Sequence, residues 1–359
     1  MTTPRFRIAV DAMGSDQGPW VEVAGAVEAI AASGLDVVLV GDESKIEPHL
    51  RAKGKGVSES LSIRHTTEAI TMHDAPSMAV KGKKQSSMRL CFDMVKAGEA
   101  DAVISAGNSG AMMACGLFVL GRLPGVDRPA IITTFPTIKG ECAILDMGAN
   151  VDPKPQVLAQ FAVMGAVYAR LQHGKPHPRV GLLSNGSEEH KGTALTRETH
   201  ALLAKAKHEG VPGFDYVGYV EGRDVFRGDV DVVVTDGFTG NVLLKGCEGV
   251  VDAVFKMVKA EVLGGGPLVK LGAMMMRPAL RKLKRKTDYA ETGGAPLLGV
   301  NGVAMICHGG SGPKAIKNAI LQAESFARSG LSAALATDIE TSSYIWEPKP
   351  SAPAGGIVS

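Results

Sequence analysis

Eight short runs rich in valine and isoleucine recur along the chain, each ending in a small polar loop: "RIAVDAMGSD", "VVLVGDE", "DAVISAGNSG", "AIITTFP", "CAILDMGAN", "VGLLSNGSEE", "VDVVVTDGFTG" and "VAMICHGGSG". Most are apolar throughout rather than alternating, the pattern of strands buried on both faces of a parallel sheet. Between many of them lie stretches such as "VEVAGAVEAIAAS", "SSMRLCFDMVKAG" and "QVLAQFAVMGAVYARL", where apolar residues return every three or four positions, as on one face of a helix. This alternation predicts an α/β chain with a mostly parallel sheet covered by helices.

In such sheets ligands sit beyond the carboxyl ends of the strands, where helix N-termini point their free N–H groups. Here those ends are rich in Gly, Asn and Ser, as in "SAGNSGAMMACG" (105 to 116). Glycine lets the backbone approach closely, and successive N–H groups at a helix start favour a phosphate or another oxyanion. No loop reads G-x-x-x-x-G-K-[ST], and none after the first strand reads G-x-G-x-x-G, so triphosphate and dinucleotide readings lose ground. The methionines that follow, Met112 and Met113, are expected in the core.

Nucleophiles and metals are weakly signalled. "GNSGA" lacks the G-x-S-x-G turn of serine hydrolases. Cys307 and His308 are neighbours on a strand and point to opposite faces. The carboxylates Asp11, Asp16, Asp146 and Asp236 are scattered strand-end residues of the kind that cap helices, and no metal or cofactor is expected. Lys81, Lys83 and Lys84 precede Ser86 and Ser87 at a predicted helix start, which reads either as an anion clamp or as a solvated basic turn.

The formal net charge is only +2, so an electrostatic partner must be met by a local patch rather than a global field. One patch is "RPALRKLKRK" (277 to 286), with six basic residues in ten, following Leu268, Leu271, Met274 and Met275. A basic amphipathic element can lie on an anionic bilayer; the same pattern fits a solvated helix whose apolar side packs in a protein interface. The five cysteines never fall at C-x-x-C spacing, which fits a reducing cytoplasm. No run approaches the ~18 apolar residues of a membrane span. The tail after Ala336 holds few apolar residues and is expected to be loose.

Read in order, the loops resemble the phosphate acyltransferases of bacterial phospholipid synthesis, the PlsX family. The matching segments are "AVDAMGSD" (9 to 16), "AVKGKKQSS" (79 to 87), "AVISAGNSGAMMA" (102 to 114), "RPAI" (128 to 131), "LDMGAN" (145 to 150), "VGLLSNGSEEHKGT" (180 to 193), "VEGRDVFRGDVDVVVTDGFTGNVLLK" (220 to 245) and "GGAPLLGVNGVAMICHGGS" (293 to 311). "SNGSEE" departs from a form nearer "NIGEE" expected for the family.

The resemblance implies a three-layer α/β/α body related to phosphate acetyltransferases and to isocitrate and isopropylmalate dehydrogenases, with two halves around a cleft. It implies a catalytic region over 6–335, a helical pair projecting at 262–290 and a tail at 336–359. The implied reaction moves a long-chain acyl group from acyl carrier protein to inorganic phosphate, giving acyl phosphate for the downstream glycerol-3-phosphate acyltransferase. The implied enzyme is a cytoplasmic homodimer, peripherally bound to an anionic membrane. Phosphate is near neutral pH largely a dianion and a thiolate leaves readily, so positioning and polarisation matter more than a strong base.

On loop chemistry and resemblance together, Lys84, Ser105, Gly107, Asn108, Ser109, Gly110 and Asn185 are the expected phosphate-binding residues. Lys191 is a second counter-charge, and His308 and Asn241 are expected donors to the reacting carbonyl. Leu268, Leu271, Met274, Arg277, Arg281, Lys282, Lys284 and Arg285 are expected to meet membrane or carrier protein. A short-chain acetyltransferase using acetyl coenzyme A, or a non-catalytic scaffold of lipid synthesis, are the competing readings.

Overall fold

A computed structural model of the chain describes residues 5–209 and 213–347. Eleven strands among these form one sheet: β1 (Arg7–Asp11), β2 (Asp36–Gly41), β3 (Leu61–His65), β4 (Ala102–Ser105), β5 (Ala130–Pro136), β6 (Glu141–Leu145), β7 (Arg179–Leu183), β8 (Asp215–Val220), β9 (Val232–Val234), β10 (Ala295–Leu298) and β11 (Val303–Ile306). Their order is β3-β2-β1-β4-β11-β10-β5-β6-β9-β7-β8. The first five are mutually parallel, and so are the last four. Between these blocks the pairings β11–β10, β10–β5 and β5–β6 are antiparallel. Three reversals in succession leave β6, β9, β7 and β8 running opposite to β1, β4 and β11.

The helices are α1 (Trp20–Ser33), α2 (Glu43–Ala52), α3 (Pro76–Gly82), α4 (Ser87–Lys96), α5 (Ser109–Cys115), α6 (Pro155–Gln172), α7 (Ala194–Glu209), α8 (Gly237–Gly264), α9 (Pro267–Lys286), α10 (Tyr289–Thr292), α11 (Pro313–Arg328) and α12 (Leu331–Thr341). Alternate residues of each strand feed different cores. Ile8 and Val10 of β1, with Ile104 of β4, share one core with residues of α1, α6 and α11. Ala9 and Val103, on the other face, meet Phe92 of α4 and Met112 of α5. This is why the central strands read as unbroken apolar runs. Met112 is fully buried and Met113 packs half-buried against the same cluster.

Two boundaries differ from the sequence reading. The projecting pair does not start at 262: α8 begins at Gly237, capped by Asp236, whose carboxylate accepts the Thr239 N–H at 2.8 Å. Its first turns sit on the body, where Leu243 and Leu244 join Ile144 and Val233; the rest extends away with α9, the glycines of "LGGGP" making the turn. Nor does order end at Ala336. Helix α12 runs to Thr341 with Leu335 and Ile339 buried, and Ile345 and Trp346 pack on the core beyond it, because these sparse apolar residues return at helical spacing. Residues 348–359 of the expected tail lie outside the described residues.

Candidate active site

The adjacent parallel strands β1, β4 and β11 deliver three loops to one end of the sheet. Asp11, the last residue of β1, is buried, and its Oδ2 accepts the Ser105 hydroxyl at 2.6 Å. Ser105 Oγ in turn accepts the Gly107 N–H at 3.0 Å, which turns the chain sharply after β4. Gly14 closes over this pair: a Cβ there would lie 2.7 Å from Asp11 Oδ2 and 2.8 Å from Gly107 N, so only glycine fits. Burial outweighs the Ser105 hydrogen bond and raises the Asp11 carboxyl above its ordinary range.

Asn108 caps α5, its Oδ1 accepting the Ala111 N–H at 3.0 Å. Its amide donates to the carbonyls of Thr71 at 3.3 Å and Asp74 at 3.1 Å. The side chain therefore ties the 71–74 turn to the loop, and Ser109 and Gly110 follow it in the first turn of α5, where backbone N–H groups have no carbonyl one turn earlier in the helix. Asp74 is itself fixed by Lys83 at 2.6 Å, which pulls its carboxyl down to about 2. Lys84 follows on the turn into α4, and Gly107 lies against Met88 of that helix.

The third loop bears His308, exposed, whose Nδ1 accepts the Gly310 N–H at 3.1 Å. That contact leaves the proton of the neutral ring on Nε2. Asp16 N–H donates to the Gly309 carbonyl at 3.0 Å, and Gln17 Nε2 to that of Gly310 at 3.2 Å, which joins this loop to the one after β1. Cys307 is buried, and its thiol is pushed up to about 12; as a protonated small hydrophobe it is no nucleophile.

The remaining candidates sit elsewhere. Asn185, Lys191 and Asn241 follow β7 and β9, in the block of reversed direction. There Asp146 is fully buried and accepts the N–H groups of Ile131, Ala149 and Asn150 at 3.0, 3.1 and 2.6 Å. Helix α8 starts against this turn, and a Cβ at Gly240 would lie 2.0 Å from the Asp146 carbonyl oxygen. Asn241 is exposed beside Gly148. Asn185 Oδ1 accepts the Gly192 N–H at 2.9 Å and so bridges its own loop, in which Lys191 is half-buried against Gly186. The structure thus gathers Ser105 through Gly110 with His308, and places Asn185, Lys191 and Asn241 in a second loop set.

One group went unnoticed in the sequence. Glu22, in the first turn of α1, is buried, and among the described residues neither carboxylate oxygen has a partner at full hydrogen-bond geometry, Ser15 being the nearest hydroxyl that acts on it. Burial pushes it up to about 8, opposed by Ser15, and the Asp11 charge adds to the rise. Flanked by Val21 and Val23, it reads in the sequence as an ordinary acidic residue at a helix start.

Residues 6–334 match the family model described as "Fatty acid synthesis protein". The chain is 55% identical to the phosphate acyltransferase of Geobacter sulfurreducens over 94% of its own length and 95% of that protein. It belongs to the phosphate acyltransferase family. The phosphate acyltransferase of Geotalea uraniireducens is 54% identical, covering 93% of this chain and 94% of its own. A phosphotransacetylase from Streptococcus pyogenes shares the fold, with a TM-score of 0.59 at 17% identity over 94% of each chain. The enzyme accordingly transfers an acyl group to phosphate on a mixed α/β body of phosphotransacetylase type. No helix among the described residues is long and apolar enough to cross a membrane.

Proposed function

We propose that the acyl donor is a long-chain thioester on acyl carrier protein and that the loops after β1, β4 and β11 hold the phosphate. Backbone N–H groups of Ser109 and Gly110, at the positive end of the helix opened by Asn108, bind its oxygens, with Lys84 as counter-charge. A phosphate oxygen attacks the thioester carbonyl carbon, forming the new C–O bond. The tetrahedral oxyanion draws a hydrogen bond from His308 Nε2–H. The C–S bond then breaks, the thiolate departs with the electron pair and takes a proton from solvent. Lys191 and Asn241, from the second loop set, enter as groups brought to the donor side of the reactants. Positioning carries the rate, consistent with an Asp11–Ser105 pair used to shape the loop and a Cys307 thiol locked in protonated form.

The observation that carries the long-chain reading is the α8–α9 projection. Helix α9 has no buried residue. Leu268, Leu271 and Met275 return at helical spacing on one side, with Arg277, Arg281 and Lys284 on another. An enzyme for a two-carbon donor has no use for such an element, whereas an enzyme with a lipid product does: the product is kept at an anionic bilayer, where glycerol-3-phosphate acyltransferase consumes it. The exposed Val250, Val254 and Val258 of α8 form the stripe that a second copy covers in a homodimer. The test is thiol release from palmitoyl carrier protein with and without phosphate, repeated with acetyl coenzyme A. Phosphate-dependent release from the carrier alone supports the reading; release only from acetyl coenzyme A overturns it.

A further inference from the structure

Next to the phosphate loop lies a surface strip that the reaction leaves unused. Helix α3 starts at Pro76, which abuts the loop closely enough that a Cβ on Gly110 would sit 2.7 Å from Pro76 Cγ. It ends with Lys81 Nζ 5.5 Å over the ring of Phe118. One turn before Lys81, Met78 is 70% exposed; Phe118 is 57% and Met72 49% exposed. The strip thus has one end at the phosphate loop and the other at Phe118, in the π-helical turn Gly116–Leu120 that continues α5.

Its charge is one-sided. The carboxylates of this neighbourhood are occupied: Asp74 pairs with Lys83, Asp93 with Arg89, and Glu68 accepts the Gln85 N–H. Among the described residues Lys81 meets the Phe118 ring and no carboxylate. Two exposed methionines and a phenylalanine beside the unpaired charge of Lys81 make an adaptable apolar centre with a positive edge, and that combination fits an acidic protein surface with apolar side chains of its own.

We infer that this strip docks the acidic carrier protein that brings the acyl thioester, setting its prosthetic arm at the mouth of the phosphate loop. This rests on the carrier-donor reading above. The basic α9 is the bilayer-facing element, so the two positive surfaces have different partners.

The test compares Lys81→Glu, Met78→Asp and the double variant on two donors with the same acyl chain, one on carrier protein and one on coenzyme A, which lacks the protein. The expected result is a fall of about tenfold or more in kcat/KM for the carrier donor. KM for phosphate and kcat/KM for the coenzyme A donor stay unchanged, and the salt sensitivity of the carrier reaction shrinks. Equal losses on both donors, or no loss on either, overturn the docking strip. So does loss of binding to anionic vesicles with carrier kinetics intact, which would make the strip a lipid surface. If the wild-type enzyme does not use the carrier thioester at all, it is the donor reading that fails.

Discussion

Replacing Glu22 by Gln isolates one buried ionisation beneath the active-site loops. In the folded enzyme the carboxyl stands at about 8 against an ordinary 4.5, because burial strips it of water by more than Ser15 offsets and the Asp11 charge lies nearby. Between those values the folded state binds the proton and the unfolded state does not. The stabilisation is therefore fully present below about pH 4.5 and is lost as pH rises to about 8, after which both states are ionised and the penalty is constant. At about 1.4 kcal/mol per pH unit the whole interval amounts to ~5 kcal/mol, and relaxation around the charge brings this to ~3–5 kcal/mol. With an unfolding entropy near 2.1 cal/mol/K per residue, a chain of this length loses ~4–6 °C of Tm. Glu22→Gln keeps the neutral shape and removes the titration. Melting followed by circular dichroism from pH 5 to 8.5 should show the wild type falling ~4–6 °C relative to the variant. Asp11 and Asp146, also raised by burial, and His173, lowered by burial, are common to both proteins and largely cancel. Parallel melting curves across the range would refute the reasoning.

Asn108→Ala removes the α5 cap and the amide clamp on the 71–74 turn. It should cost ~1–3 kcal/mol in denaturant unfolding and raise the KM for phosphate, with Lys191→Ala lowering turnover. If each left phosphate KM and turnover unchanged, the phosphate-site assignment would be wrong. Neutralising Arg281, Lys284 and Arg285 to Gln should release the enzyme from anionic liposomes in flotation while leaving its fold intact; a wild-type enzyme that does not float would end the membrane reading.

Eight of the eleven strands are visible in the sequence as runs of valine, isoleucine and leucine because they lie inside the sheet, where both faces need apolar side chains. The three that escape have physical reasons. β3 and β8 are the edges, with exposed residues at His65 and Val217. β10 reads "APLL", with Pro296 and no β-branched residue to mark it as a strand. That last omission matters most for function. β10 and β5 are the antiparallel strands that reverse the second block, so the loops after β4 and β7 leave strands of opposite direction, a relation the apolar runs by themselves do not carry. The glycines of "SAGNSGA" marked a tight turn, which the Gly107 N–H and the Ser105 hydroxyl close. The sequence did not disclose that Asn108 spends its side chain on Thr71 and Asp74, since that partner lies 34 residues away. Glu22 was equally silent: its isolation comes from the packing of α1 against α11, a helix far along the chain.

The most direct measurement follows the oxygen atoms. Palmitoyl carrier protein is incubated with phosphate carrying heavy oxygen throughout, and the lipid product is examined by mass spectrometry. Direct attack by phosphate predicts an acyl phosphate that retains every labelled oxygen and appears in step with free carrier thiol. Unlabelled free fatty acid, formed at the same rate without phosphate, would contradict the account.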